Sequence, residues 1–438
     1  MLYRLFHLDL TQKDDRNAWF LCVEILWASI LGSATTFNAA FAIRLGATDT
    51  QIGLLTSIPG LLAVLVSIPA GRILQTRRNT KPWILGSLTL YRIGFLAVAL
   101  LPWIKIGIPY GALIVAVLVI ITIPANSFNV GFIPMLSEVI PVERRASVFS
   151  ARSIINGATL TACGFIFGYW LSRISFPLNY QTLYIMGFIA SMVSVYYLIK
   201  VQVPETLYPA VEKPRPASLR HRWQSTIEEY TSHPQFFRLI TNTFMHSVGM
   251  WTAAPLYVLY YVNVRGASDG WIGLQGAIAS LVTIIGFAFW RWLMARLGEP
   301  MTLKRTIICL GLFPILVGLS PSLTPILFAI TLNGLISPGV SLSHLSTLMK
   351  VTPEDNRPGY TAIYMTLMNI GIFIFPMIGV TLGGRFGIGP TLIGCGLLSI
   401  LGASSFWWRP VQTPEPKPYV SPNPAVKPSQ SKPVQSPD

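Results

Sequence analysis

The chain has 438 residues, of which 52% are hydrophobic and only 11% charged, with a mean hydropathy of +0.56. Soluble domains carry about 25% charged residues, so this composition cannot cover a water-soluble surface, and most of the exterior must face lipid. The net charge of +15 sits in short gaps between apolar runs instead of on one basic face with stacking aromatics, which argues against a nucleic-acid partner.

In chain order, a polar start at residues 1–17, ending in Lys13-Asp14-Asp15-Arg16-Asn17, leads into the first apolar run. No small-residue cleavage site closes a short apolar core there, so the run reads as an uncleaved span. Apolar runs of about 18 or more residues are expected to cross the bilayer as helices. They fall at 18–43, 50–71, 82–104, 109–135, 147–172 and 181–200, then at 237–262, 270–292, 304–320, 323–349, 358–384 and 388–408. Between the ninth and tenth, only Ser320-Pro321-Ser322 marks a break. Residues 201–236 form a central loop holding Lys213-Pro214-Arg215-Pro216 and an amphipathic stretch from Ser218 to Thr231. Residues 410–438 contain nine prolines, a composition that cannot bury a core and is expected to be disordered.

Lys and Arg set the orientation. With the N-terminus in the cytoplasm, 25 of them fall in cytoplasmic segments and five, Arg44, Lys105, Arg173, Arg265 and Arg385, on the other side. Both termini are therefore expected inside, at the plasma (inner) membrane. Cys22, Cys163, Cys309 and Cys395 each lie within an apolar run, which suits small buried hydrophobes and neither a disulfide framework nor a metal site.

The chain repeats itself. Leu45-Gly46-Ala47-Thr48-Asp49-Thr50-Gln51-Ile52-Gly53-Leu54 follows the first span, and Arg265-Gly266-Ala267-Ser268-Asp269-Gly270-Trp271-Ile272-Gly273-Leu274 follows the seventh. A second pair, Pro141 with Arg145 and Pro353 with Arg357, follows the fourth and tenth spans. A helix start alone explains one Gly-Ala-Ser-Asp loop, but not the same pattern at the same place in both halves. With an even number of spans per repeat, both copies enter from one side, as in transporters with parallel halves. The fold class is all-α integral membrane: twelve transmembrane helices in two pseudo-symmetric six-helix bundles, 18–200 and 237–409, flanked by the tails 1–17 and 410–438.

On these residues the chain resembles the major facilitator superfamily over about residues 15–409. Gly71-Arg72 followed by Arg77, Arg78 and Lys81 matches the cations of the family's loop after the second span, although Gln75 stands where the family has an acid and Arg78 where it has a second glycine. Arg296-Gly298 after the eighth span keeps Arg and Gly, and Glu138 to Arg145 resembles the family's acid-Pro-Arg pattern after the fourth. The resemblance implies a cytoplasmic latch at Gly71, Gln75, Arg78, Glu138, Arg145, Arg296, Gly298 and Arg357. These charges equally serve as topology signals. Gly164 and Gly168 in the fifth span read as close helix packing.

Ionisable groups inside spans are costly and mark functional candidates. They are Glu24, Arg92 and Arg152. Glu24 lies seven residues past Asn17, and Arg152 seven past Arg145, so both sit about 10 Å deep. Arg152 is the expected partner, with Arg92 second. Such a carboxylate either carries a coupling proton or forms a fixed ion pair, and the sequence leaves both open. In the resembling family, spans one, four, seven and ten line the central cavity. That implies Trp27, Asn38, Asn126, Asn129, Asn242, His246, Trp251, Asn333, Ser341 and His344 as cavity candidates, each also readable as packing. Pro124 and Pro338 stand at matching places and suggest paired kinks.

The function implied is secondary active transport of a small solute by alternating access, with protons as possible coupling ions, acting as a monomer. A non-transporting sensor on the same scaffold is the alternative. A membrane-embedded enzyme would need a nucleophile, metal or phosphate-binding motif, and His-Glu-x-x-His and Gly-x4-Gly-Lys-Ser/Thr do not occur. No cofactor is expected.

Overall fold

The computed structural model describes residues 11–77, 79–104, 107–203, 233–353 and 357–412, without the side chains of Gln75, Val142, Glu143, Ala146 and Pro358. Arg78, the stretch Ser218–Thr231 and the proline-rich tail lie outside the described residues. Among those described, every regular element is helical.

The first span is α1 (Lys13–Thr35) continued by α2 (Asn38–Arg44), the second α3 (Asp49–Gln75) and the third α4 (Lys81–Leu100). The fourth is α5 (Tyr110–Ile120) with α6 (Thr122–Val139), the fifth α7 (Val142–Arg173) and the sixth α8 (Leu178–Lys200). In the second half α9 (Pro234–Leu259) is the seventh span and α10 (Asp269–Leu297) the eighth. The ninth is α11 (Glu299–Leu310) with α12 (Leu312–Leu319). The tenth, eleventh and twelfth are α13 (Leu323–Val351), α14 (Arg357–Phe386) and α15 (Ile388–Trp408). Eleven of these spans are long and apolar enough to cross a membrane, by length and composition. The exception is α9, which buries Asn242, Thr243, His246 and Thr252 against its neighbours and so dilutes its own apolarity.

Local chemistry repeats with the sequence. Gly46 and Gly266 both take a left-handed φ, 86° and 62°, which only glycine adopts without strain. Thr48 and Ser268 then cap α3 and α10. The Thr48 hydroxyl accepts from the Gln51 amide at 3.3 Å, and that of Ser268 from the Trp271 amide at 3.2 Å. The prolines do not repeat in this way. Pro124 lies in the first turn of α6, just past the break at Ile121, whereas Pro338 is carried inside the unbroken α13. The expected paired kinks are thus a helix break in one half and a continuous helix in the other. A proline ring presses on the carbonyl four residues back. That residue is Gly334 in α13, and it packs closely on Gly286.

Helix pairing is the same in both halves. In the first, α1 packs on α8 and α7, α4 on α8 and α6, and α3 on α6; in the second, α9 packs on α15 and α14, α11 and α12 on α15 and α13, and α10 on α13. The halves meet where α7 crosses α10 and α3 crosses α14, which one pseudo-twofold axis interchanges. Small residues allow the approach. A Cβ on Gly273 would lie 2.5 Å from the Gly168 Cα, and one on Gly164 would lie 3.1 Å from the Ala277 Cβ.

The apolar core is one cluster spanning both halves on the face that carries Gly46 and Gly266, with Phe41, Tyr184, Leu256 and Tyr260 among its members. Toward the opposite face, where α1 begins and α15 ends, it divides. One cluster there belongs to the first half (Leu21, Ile84, Leu198) and another to the second (Phe236, Ile307, Phe406).

Candidate solute site and the closed face

Four helices of the first half converge on Glu24. Its Oε2 accepts from Arg152 Nη2 of α7 at 2.9 Å. Its Oε1 accepts from the Ser194 hydroxyl of α8 at 2.8 Å and lies 3.8 Å from Arg92 Nη2 of α4. Arg92 also donates to Ser194 Oγ at 3.0 Å and to the Ser191 carbonyl, and Arg152 donates to the Leu21 carbonyl. Glu24 and Arg92 are each 3% exposed and Arg152 9%. One carboxylate against two guanidiniums leaves a net positive charge in a buried place, offset by hydrogen bonds to all four Nη atoms. The depth argument from sequence places Glu24 level with Arg152, and the two side chains meet.

The cluster forms one wall of a cavity of about 270 Å³, completed by Tyr91, Phe128, Asn129 and Phe132. Asn129 is exposed into it, and the Arg152 guanidinium lies over the Phe132 ring at 5.6 Å. Ser29 adds a polar contact between α1 and α7, donating to Asn156 Oδ1 at 2.7 Å. Asn156 drew no notice in the sequence because nothing distinguishes an uncharged amide inside a span from packing.

The remaining cavity candidates disperse. Asn126 turns back on its own helix and donates to the Thr122 carbonyl at 2.9 Å. Asn38 accepts from the Tyr184 hydroxyl at 2.8 Å, within the undivided core. Trp27 is half-buried on α1. In the second half, Asn242 donates to the Arg409 carbonyl at 2.9 Å and so ties α9 to the end of α15. His246 is buried against Ser399 of α15, Nδ1 to Oγ 2.9 Å. His344 bonds Thr243 across α13 and α9 at 2.9 Å and lies beside Tyr364. Trp251 stacks on Phe375, Ser341 bonds the Ser337 carbonyl, and the Asn333 side-chain oxygen is buried without a donor.

Among the latch residues, Gly71 and Glu138 line one small cavity between α3 and α6. Arg145 donates to the carbonyls of Ser137 and Ile140 and caps the end of α6. Arg296 lies over the Trp292 ring at 4.0 Å, and Gly298 ends α10 with φ 76°. Arg357 opens α14.

Sequence reading missed the polar contacts on the closed face. Arg44 Nε donates to Asp269 Oδ1 at 2.6 Å, and the Tyr180 hydroxyl donates to the same oxygen at 2.7 Å. Across the pseudo-twofold, Asn263 Nδ2 reaches Asp49 Oδ1 at 3.5 Å. Asp49 and Asp269 are equivalent positions of the repeat. Each half thus offers the aspartate that starts a helix to the first loop of the other, and the duplicated motif was the signal that could have exposed the pair.

Two halves with the same internal pairing, interchanged by one axis and joined mainly on one face, have a counterpart among known sequences. The sequence profile described as Major Facilitator Superfamily matches residues 25–310 and 239–433. The chain belongs to the Major Facilitator Superfamily. A multidrug resistance protein, MdtG of Yersinia enterocolitica, is 26% identical over 172 residues. That match covers 36% of this chain and 41% of the relative, so the chain matches well under half of that protein's length. Solved structures of superfamily members share the fold. An auto-inhibited POT family peptide transporter superposes with TM-score 0.72 at 10% identity, covering 94% of this chain and 99% of that one. The nucleoside transporter NupG gives 0.66 at 13% identity, covering 90% and 98%. The inward-open xylose transporter XylE from E. coli gives 0.62 at 15%, covering 92% and 96%. This superfamily chain is a multi-pass membrane protein of a transporter family.

Proposed function

We propose that the chain is a secondary active transporter that moves a small polar organic solute by alternating access. The observation that carries the reading is the division of the core. Apolar packing and polar contacts join the halves on the Gly46/Gly266 face, while toward the opposite face each half has its own core. Interfaces of this kind are bistable, and rocking about the α7–α10 and α3–α14 crossings exchanges which face is joined. With the cation bias setting the termini in the cytoplasm, the arrangement supports a cytoplasm-open form.

The solute reading rests on the cavity beside Glu24. The Nη atoms of Arg92 and Arg152 are engaged within the protein, and Asn129 offers an amide to a ligand beside Tyr91 and the aromatic faces of Phe128 and Phe132. An amide and aromatic faces beside a wall whose charges are largely paired fit a solute with a hydroxyl, amide or carbonyl group and little charge. Solute counterflow in proteoliposomes, run with sugars, nucleosides, short peptides and amphiphilic drugs, tests this. Exchange of one class, lost in Asn129→Leu, is expected. No exchange with any class would favour the sensor alternative.

Glu24 supports two roles. Its three partners make it a clamp joining α1, α4, α7 and α8. Its place on the cavity wall favours a second role, carrying coupling protons. Flux driven by a pH gradient separates them. In Glu24→Gln, loss of pH-driven uptake with counterflow intact supports coupling, whereas loss of both with lowered stability supports the clamp alone.

A further inference from the structure

A second cavity, larger than the one at Glu24, lies outside that site. It is a groove of about 630 Å³ between α3 and α4, with α6 as its floor. Its extent falls within the roughly 300–1,000 Å³ of ligand clefts. On α3 it runs from Leu65 to Ile73, the half nearer the chain termini, about 12 Å at helical rise, and it ends at Arg77 just past the helix. The lips are apolar and turned outward, with Leu65 58% and Leu90 59% exposed. The groove therefore opens sideways, into the space that lipid fills, and not into the crossings between the halves.

Its two ends differ. Most of its length is apolar. At the Arg77 end, Trp83 Nε1 donates to Ser127 Oγ at 3.0 Å, and the Arg77 guanidinium lies over the Trp83 ring at 5.2 Å. No ion pair to Arg77 is found among the described residues. A cation and an indole at this level mark the membrane–water interface.

Comparison of the two halves shows that the space is not a necessity of the fold. Helices α3 and α10 both run unbroken from their aligned aspartates, Asp49 and Asp269, so Ala70 corresponds to Trp290. In the second half Trp290 fills the equivalent place. Its Nε1 donates to the Leu335 carbonyl at 2.7 Å, and its ring lies against Gly339, where an added Cβ would meet it at 2.7 Å. In the first half Ala70 lines the open groove. One repeat closes this position with its own side chain, and the other leaves it empty.

We infer that the α3–α4 groove is a binding site for one anionic phospholipid of the leaflet at the terminal face, with an acyl chain between the helices and its phosphate against Arg77. The apolar walls supply too few polar partners to hold water, and an acyl chain gains by burying there. The phosphate gains a charge-assisted contact that a neutral lipid headgroup lacks. The site does not depend on the transport reading, since it lies away from the Glu24 cavity.

The test is native mass spectrometry of protein released from nanodiscs of phosphatidylcholine and phosphatidylglycerol at nine to one. The wild type is expected to retain one phospholipid, with the ratio of bound phosphatidylglycerol to phosphatidylcholine at least tenfold above that of the bilayer. Gly86→Phe, where an added Cβ meets nothing within 4 Å, fills the groove from the α4 side and is expected to lose the bound lipid. Ala70→Trp, which transplants the plug of the second half, is expected to do the same. If that variant fails to fold, Gly86→Phe decides alone. Arg77→Gln is expected to keep a lipid but to retain the two headgroups in the bilayer ratio. Retention unchanged in Gly86→Phe, no headgroup preference in the wild type, or a retained mass that is not a phospholipid would each overturn the assignment.

Discussion

Arg44 and Asp269 lie 225 residues apart and meet at 2.6 Å across the two halves. Their contact closes the face on which the apolar core is continuous. Asp269→Asn removes the charge that Arg44 meets and leaves the Arg44 bond to the Ala267 carbonyl, 3.1 Å, in place. A partly exposed ion pair is worth about 0.2–1 kcal/mol, so the population with this face open should rise at most about fivefold. Spin labels at the exposed Thr50 and Val264 would show it as a longer-distance component. An unchanged distance distribution would mean that the pair follows closure without contributing to it.

Gly273→Ala should act on the same equilibrium more strongly. The added Cβ would lie 2.5 Å from the Gly168 Cα and 2.6 Å from the Gly164 carbonyl oxygen. Both are backbone atoms, so no rotamer change relieves the clash and α7 must move from α10. Overpacking costs about 1–3 kcal/mol, and it falls on the conformer in which Gly273 meets Gly164 and Gly168. Gly276→Ala, three residues on, meets nothing within 4 Å and is the matched control. The same spin-label pair should report opening in the first variant and none in the second.

Removing the carboxylate of Glu24 strands two buried guanidiniums. Glu24→Gln should destabilise the protein by about 3–5 kcal/mol, the range for breaking a buried ion pair from one side. Changing Arg152 to Met in the same chain should recover part of the loss, because the guanidinium that bonded Glu24 directly goes with it. Thermal melting in detergent measures both. A double variant no more stable than the single would place the cost elsewhere than in the stranded charge.

Asn242 joins the seventh span to the chain beyond the twelfth. Asn242→Ala removes the donor to the Arg409 carbonyl and should cost about 1–3 kcal/mol, with solute affinity per folded molecule unchanged. A weakened affinity at full stability would return Asn242 to the solute path.

Much of the fold was legible because lipid imposes a long, simple rule. An apolar run of sufficient length must be a helix with its backbone satisfied internally, and eleven of the spans obey it. The exception, α9, shows where the rule weakens. Helices surrounded by protein can carry Asn242, Thr243 and His246, so their hydropathy falls while their place in the bundle holds. Glu24 and Arg152 could be matched because depth along a helix is countable from the sequence at 1.5 Å per residue. The direction of an uncharged side chain is not. Asn129 faces a cavity while Asn126, one turn earlier, bonds its own helix, and both have the same composition-level signature.

The sequence by itself determined the number of spans, the duplication and the presence of three buried charges, because each is a property of one helix or of one loop repeated. Tertiary structure decided what crosses between helices. It set Arg44 against Asp269, pressed Gly168 on Gly273, gave Glu24 a second cation from α4, and left open at Ala70 the groove that Trp290 closes in the other half. These depend on how far each helix is rotated and where it crosses its neighbours. Those angles follow from the packing of all the side chains together, and no single run of residues encodes them.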